Sequence, residues 1–426
     1  MRQRGNTGYF PAYPAHRVAP APSGPDTGYR HFVPLRGRHV FSRCGIRESS
    51  VPFVTKEDKI TVALLADTRF ENRRRKIAAH FAAQRLDSML VTHLTHVRYL
   101  TGFTGSNGGV IVNKDLSAKV ATDGRYTTQI ADQVPDLDCL CARACGPDLL
   151  REVEGPRRVG FEADYTSVSE LEKLKEAAGD NVTLVPVTGI IEQCRLIKDH
   201  TELDRLQAVA ELATEALKQL LDAGELAVGR KEHEVAADLE YRMLKLGAQR
   251  TSFDTILASG LNSAKPHAGV SDKIIDDGDI VTIDYGAHLD GYNSDCTRTF
   301  IMGHATDFAE EIYGVVHQSQ AAGVEAAVAG AKLVDVDTVC RDIIDRAGYG
   351  EYFVHSTGHG IGLDVHEKPM ASTKGEGILE PDMTLTIEPG IYIPGKGGVR
   401  IEDTLIITDG APKVITTMSK DLTVIG

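Results

Sequence analysis

Two aspartates lie on what reads as the two arms of a β-hairpin, in Ile283-Asp284-Tyr285-Gly286 and Asn293-Ser294-Asp295-Cys296. Asp290-Gly291 between them is a strong turn signal, because both central positions of a type I′ turn need positive φ. With that turn closed, Asp284 faces Thr297 across the ladder and Gly286 faces Asp295. Side chains alternate faces along a strand, so Asp284, Thr297 and Asp295 share one face. The two aspartates become diagonal neighbours with Cα atoms roughly 7–8 Å apart. Ile280, Val281 and Ile283 on one arm and Phe300 and Ile301 on the other make the surroundings apolar. Two like charges meeting there are costly without a cation. The geometry asks for one metal ion, or two.

Four more segments hold residues of the same chemical kind: Ala264-Lys-Pro-His267-Ala-Gly269, the stretch from His355 through His359 to His366, Leu385-Thr-Ile-Glu388-Pro-Gly390, and Gly398-Val-Arg400-Ile-Glu402-Asp-Thr404. In the last two a glutamate interrupts an apolar strand, and the turn-rich Pro394–Gly398 between them predicts a second hairpin. Arg400 is placed to pair with a ligand carboxylate and hold its orientation. His355 and His359 are four apart, but glycines 358, 360 and 362 argue against a helical zinc pair, so the two are not read as ligating together. Aspartates and glutamates with one histidine favour hard or borderline divalent ions such as Mn²⁺, Co²⁺ or Zn²⁺. The other histidines, His93 and His96 among them, read as ordinary structural residues.

The words Thr-Ile-Asp284-Tyr-Gly, Ser-Asp295-Cys-Thr-Arg-Thr-Phe, Gly-His359-Gly-Ile-Gly-Leu-Asp-Val-His366-Glu, Ile-Glu388-Pro-Gly and Val-Arg400-Ile-Glu402-Asp resemble the aminopeptidase P/prolidase branch of the M24 "pita-bread" metallopeptidases. Arg98-Tyr-Leu-Thr-Gly-Phe-Thr-Gly-Ser-Asn107 and Thr122-Asp-Gly-Arg-Tyr126 resemble the creatinase-type domain that precedes the catalytic domain in that branch. The likeness implies two divalent metal ions, Mn²⁺ foremost. Asp284 would chelate one, Asp295 and Glu402 would bridge both, and His359 and Glu388 would complete the second. It further implies attack by a metal-bridging hydroxide with Glu388 as proton carrier. His267 and His366 would line the substrate side, and His355 would help shape the pocket.

The activity so implied is removal of the N-terminal residue from peptides with proline second, an Xaa-Pro aminopeptidase. The alternative is an Xaa-Pro dipeptidase (prolidase), and no residue separates the two. Methionine aminopeptidases share the ligand order, but the extra N-terminal domain argues against one. A non-hydrolytic peptide- or protein-binding module and a creatinase-like hydrolase are the readings from other classes; both normally replace metal ligands. Relatives in the branch commonly form homodimers, which is the expectation here.

The elements that must position these residues are α+β in kind. From Arg69 to Gln84 the pattern predicts one amphipathic helix, with Ile77, Ala78, Phe81 and Ala82 on a stripe and Arg73–Lys76 largely off it. Short apolar runs at 88–92, 98–100, 109–112, 119–122 and 158–161 predict strands, and 167–178 a helix. Long helices are expected over 200–224, capped from Thr201, and over 230–247, then over 306–330 and 335–347. The expected division is a creatinase-type α/β domain over 67–195 and a pita-bread domain over 200–426, mainly antiparallel sheet covered by helices. Residues 1–60 are set apart as a disordered extension or a mis-called start. The first fifty hold eight arginines, six prolines and only two acidic residues.

The net charge of −13 argues against nucleic acid as a partner. No apolar run nears the ~18 residues of a membrane span. Seven cysteines without a regular framework point to a reducing cytoplasm.

Overall fold

The computed structural model describes residues 68–426. The expectation for residues 1–60 lies outside them. The first part is built on a six-stranded sheet of β1 (Ser88–Val91), β2 (Gly109–Asn113), β3 (Ala118–Thr122), β4 (Asp138–Cys141), β5 (Arg157–Glu162) and β6 (Val182–Val187), in the order β4-β3-β2-β1-β5-β6. It is mixed: β1–β2 and β2–β3 are antiparallel, while β3–β4, β1–β5 and β5–β6 are parallel. Helix Val168–Ala178 begins with a capping box between Ser167 and Glu170.

Three expectations in this part need correction. The run at 98–100 lies in the helix Leu94–Thr101, which Gly102 ends in the left-handed conformation. A run of three residues, Arg98-Tyr99-Leu100, is too short to declare a period, so helix and strand are indistinguishable there. The helix from Arg69 stops at Ala78 and resumes only for Phe81–Gln84. Arg73 and Arg74 are buried. Arg73 donates to Asp199 and to the Tyr99 carbonyl, Arg74 to the Leu100 carbonyl.

Helix His200–Asp222 follows, capped by Asp199 rather than Thr201: Asp199 accepts from the Glu202 amide while Glu202 reaches back to the Asp199 amide. Helix Glu232–Lys245 packs beside it. Later strands are β7 (Arg250–Thr251), β8 (Ile256–Ser259), β9 (Ile280–Tyr285), β10 (Ala287–Leu289), β11 (Tyr292–Asn293) and β12 (Cys296–Met302). Helices Asp307–Ala326 and Leu333–Arg346 come next, then β13 (Gly358–Gly360), β14 (Glu367–Ala371), β15 (Thr384–Ile387), β16 (Gly390–Ile393), β17 (Gly397–Arg400), β18 (Asp403–Ile406), β19 (Lys413–Val414) and β20 (Val424–Ile425). Among the described residues these pairings are antiparallel except β12–β20.

Two features aim the site. The first hairpin has the predicted register: Asp284 pairs with Thr297 in β9–β12, and His288 with Asn293 in β10–β11. Its turn residues Asp290 and Gly291 have φ of 49° and 87°, as a type I′ turn demands. The second hairpin is broken in its middle. Ile387 pairs with Asp403 and Gly390 with Arg400, so one register runs through and sets Glu388 opposite Glu402 in the gap. There the backbone amides leave the ladder: Glu388 donates to Thr357 O at 2.8 Å and Glu402 to Thr297 O at 3.1 Å. The break therefore docks Glu388 against the chain leading to β13 and Glu402 against β12.

Candidate metal centre

All nine residues singled out by sequence line one cavity of about 480 Å³: Asp284, Asp295, His359, Glu388 and Glu402, with His267, His355, His366 and Arg400. Each comes from a different strand, strand end or loop. Asp284 is in β9, Asp295 just before β12, His359 in β13, Arg400 at the end of β17, and the two glutamates in the gap of the second hairpin. Two glycines let these segments close. A Cβ on Gly286 would stand 2.0 Å from Ser294 O, and one on Gly358 1.7 Å from Thr386 O.

The centre of the cluster is carboxylate-rich. Asp295, His359 and Glu402 each offer a ligand atom within 4.8 Å of the other two. His359 Nε2 lies 3.6 Å from Asp295 Oδ2 and 3.4 Å from Glu388 Oε1. Its other nitrogen, Nδ1, donates to Gly360 O at 3.0 Å. That fixes the tautomer, leaving Nε2 as a lone pair aimed at carboxylates. Burial, then Glu402 and Asp284, hold the Asp295 carboxyl well above the usual range. Glu402 is pushed up likewise by burial and by Glu388 and Asp284. Glu388 is pushed up to about 8 by burial, with Asp284 adding and Arg400 opposing.

This donor set fits divalent metal ions. Asp284 Oδ1 is buried with no hydrogen-bond partner among the described residues, although Oδ2 takes Arg400 Nη2 at 2.7 Å. An orphaned carboxylate oxygen, an imidazole lone pair and three further carboxyls crowded against their own repulsion are what a multiply charged hard cation relieves.

Arg400 does more than pair with Asp284. Nε donates to Thr297 Oγ1 at 3.1 Å, while Nη1 donates to Tyr392 OH at 2.8 Å and to Pro266 O at 3.1 Å. Thr297 in turn donates to Glu402 Oε2 at 2.8 Å. Tyr392 also bonds His355 Nε2 at 2.9 Å, and His355 Nδ1 lies 2.8 Å from Ser356 O. Burial pulls His355 down to about 4, so it is neutral at pH 7 and accepts from the phenol. Sequence reading placed Thr297 on the face of the two aspartates but missed Tyr392. Strand alternation was the available signal: Tyr392 is two and four residues from Gly390 and Glu388. It also missed the wall of Phe253, Ile256 and Met370, for which no local signal exists. Cys296 is buried away from the cavity, its Sγ near Glu402 O.

A hairpin pair of aspartates, a strand histidine and two opposed glutamates thus meet around one cavity of a two-part α+β chain, a donor set suited to divalent metal ions. The chain belongs to the metallopeptidase family M24, whose model matches residues 204–409; the creatinase/prolidase N-terminal domain matches residues 73–197. It is similar to an Xaa-Pro dipeptidase of Pyrococcus horikoshii, 37% identical over 363 residues, which span 82% of this chain and 97% of that one. Among solved structures, an Xaa-Pro dipeptidase from Bacillus anthracis superposes with a TM-score of 0.80 at 39% identity, covering 83% of this chain and 99% of the other. An X-Pro aminopeptidase from Thermotoga maritima does so with a TM-score of 0.75 at 30% identity, covering 83% and 99%. The chain is thus a creatinase-type N-terminal domain joined to an M24 pita-bread catalytic domain, and divalent metal ions belong to that family's chemistry. No described helix is long and apolar enough to cross a membrane.

Proposed function

We propose that the chain is a dinuclear metal Xaa-Pro dipeptidase, with Asp284, Asp295, His359, Glu388 and Glu402 as metal ligands and Mn²⁺ as the working ion. The observation that carries the metal centre is the convergence of those five side chains, with three histidines, on one cavity. This departs from the sequence reading, which put the aminopeptidase first. The reason is that the more similar of these whole-length relatives bear the dipeptidase name, at 37% and 39% identity against 30% for the aminopeptidase.

Bound there, divalent ions supply Lewis acidity toward a peptide carbonyl and toward water. Glu388 is the proton carrier, its Oε1 facing the His359 lone pair. His267 and His366 border the same cavity and supply donors where charge gathers on the carbonyl oxygen. Phe253, Ile256 and Met370 give a proline ring an apolar wall. An Xaa-Pro bond is a tertiary amide with no N–H to bind, so a site built on carbonyl and ring recognition suits it. The proposal includes the expected homodimer and a reducing cytoplasm, which suits six described cysteines that are all free.

One observation favours the aminopeptidase as a second reading. Arg400 is the one arginine or lysine among the described residues lining the cavity, and its Nε, Nη1 and Nη2 are all committed. A dipeptide's terminal carboxylate finds no spare guanidinium there. The test compares Gly-Pro with Gly-Pro-Gly-Gly after Mn²⁺ loading. Cleavage confined to the dipeptide supports the proposal, and higher kcat/KM on the tetrapeptide overturns it in favour of the aminopeptidase. Cleavage of neither, with no metal bound, points to a binding module or a metal-free hydrolase.

A further inference from the structure

A second cluster of ligand-type side chains lies in the creatinase-type part, outside the cavity. His93, His96 and Glu162 each place a ligand atom within 4.8 Å of the other two. His93 and His96 flank the start of helix Leu94–Thr101, and Glu162 ends β5. His96 is 1% exposed, yet among the described residues its Nε2 has no hydrogen-bond partner, and neither does the buried Nδ1 of His93. Leaving a buried nitrogen unmatched is destabilising, and here two adjacent rings do so, their centroids 4.8 Å apart.

Glu162 explains why His96 is left open. Its Oε1 meets His96 Nδ1 at 2.5 Å, and its Oε2 accepts from the amides of Thr92 and His93 at 2.8 and 2.9 Å. The carboxylate thus draws the imidazole proton to Nδ1 and presents Nε2 as a bare lone pair. Metal-bound histidines are held in this way, with a carboxylate behind the ring. Facing that lone pair, Glu192 Oε1 lies 4.0 Å away. Ligand atoms ~2.0–2.1 Å from a tetrahedral zinc stand about 3.4 Å apart, so the gap closes with a small side-chain movement. His93 is stacked on Tyr165 with centroids 3.9 Å apart, which fixes its ring beside that of His96.

We propose that His93, His96 and Glu192 form a separate binding site for a borderline divalent ion of the Zn²⁺ class, with Glu162 orienting His96. Two imidazoles and one carboxylate suit zinc better than the oxygen-loving ions of the carboxylate cavity. The site is independent of the activity proposed above and contributes stability rather than chemistry.

The test counts metal on the full chain. After equilibrium dialysis against micromolar Zn²⁺, elemental analysis of the native chain, H93Q and H96Q is expected to show one equivalent fewer in each variant. Peptide hydrolysis by H93Q should stay within about twofold of native, since the ion here stabilises rather than reacts. A Co²⁺-loaded native chain should show a visible absorption component that H93Q lacks. Equal metal content in native and H93Q overturns the proposal. H93Q keeps the test decisive if H96Q, which strips Glu162 of its buried partner, does not fold.

Discussion

Asp284 rests one oxygen on Arg400 and leaves the other unpartnered, and Arg400 spends each nitrogen on a different neighbour. Such a fork cannot be replaced by an ammonium, which is a point charge. R400K is expected to keep the fold yet lower metal affinity or kcat/KM by roughly 10–100-fold, the usual size for a group behind a metal ligand. Metal titration and steady-state kinetics read this directly, and near-native values would dismiss the positioning argument. Asp295 makes an opposite-sign case. Burial and neighbouring carboxylates disfavour its charge, so D295N should raise the Tm of the metal-stripped chain while shrinking the Tm gain on adding Mn²⁺ and abolishing hydrolysis. A D295N chain that loses stability without metal, or hydrolyses normally, contradicts the assignment.

At the scale of elements, much of the site was legible because it rests on local rules. Asp290-Gly291 announced its turn, the turn set the register, and the register put both aspartates on one face. The glutamates were legible as interruptions of apolar strands, but not the broken ladder that sets Glu388 opposite Glu402, which depends on Thr357 and Thr297 taking their amides. Arg73 and Arg74 looked like surface charges because Asp199 and Asp136, their partners, are 126 and 62 residues away. G286A is expected to damage the first hairpin, since its Cβ would meet Ser294 O at 2.0 Å. A loss of about 3 kcal/mol or more follows from such overpacking, checked by urea denaturation. A second element-scale case is the loop behind His366. Its neighbour Glu367 is held by Arg195 and Lys198. Burial alone would raise the Glu367 carboxyl, but those cations hold it below its usual range. A depressed folded pKa adds stability above the unfolded value of about 4.3 and loses it as pH falls through the folded pKa. The stability gap between native and E367Q should therefore be full at pH 6–8 and shrink below about pH 4. A gap that is flat across that range, or widens in acid, refutes the pairing.

For the molecule as a whole, the two family domains share a core. Ile77, Phe81 and Tyr99 from one belong to the same apolar cluster as Leu206, Leu239 and Tyr285 from the other. Arg73 is the polar rivet of that seam. It is buried at 3% exposure, and its Nη2 lies 2.7 Å from Asp199 and 3.4 Å from Glu202. Glu202 also accepts from Tyr292 at 3.1 Å. One guanidinium thus ties the first helix to the cap of helix His200–Asp222 and, through Tyr292, to the tip of the hairpin that carries the aspartates. Two consequences follow from a core and a rivet that both cross the seam. Heat should unfold residues 68–426 in one calorimetric transition, because neither part can expose its face of the shared cluster alone. R73M should lower the stability of that whole transition by about 3–5 kcal/mol, the cost of leaving the buried Glu202 carboxylate and the half-buried Asp199 without their cation. The signature is a single peak moved to lower temperature with the two-state ratio of calorimetric to van't Hoff enthalpy retained. If R73M instead resolves two peaks, or native protein already shows two, the parts fold separately and the seam does not transmit between the N-terminal helix and the metal centre.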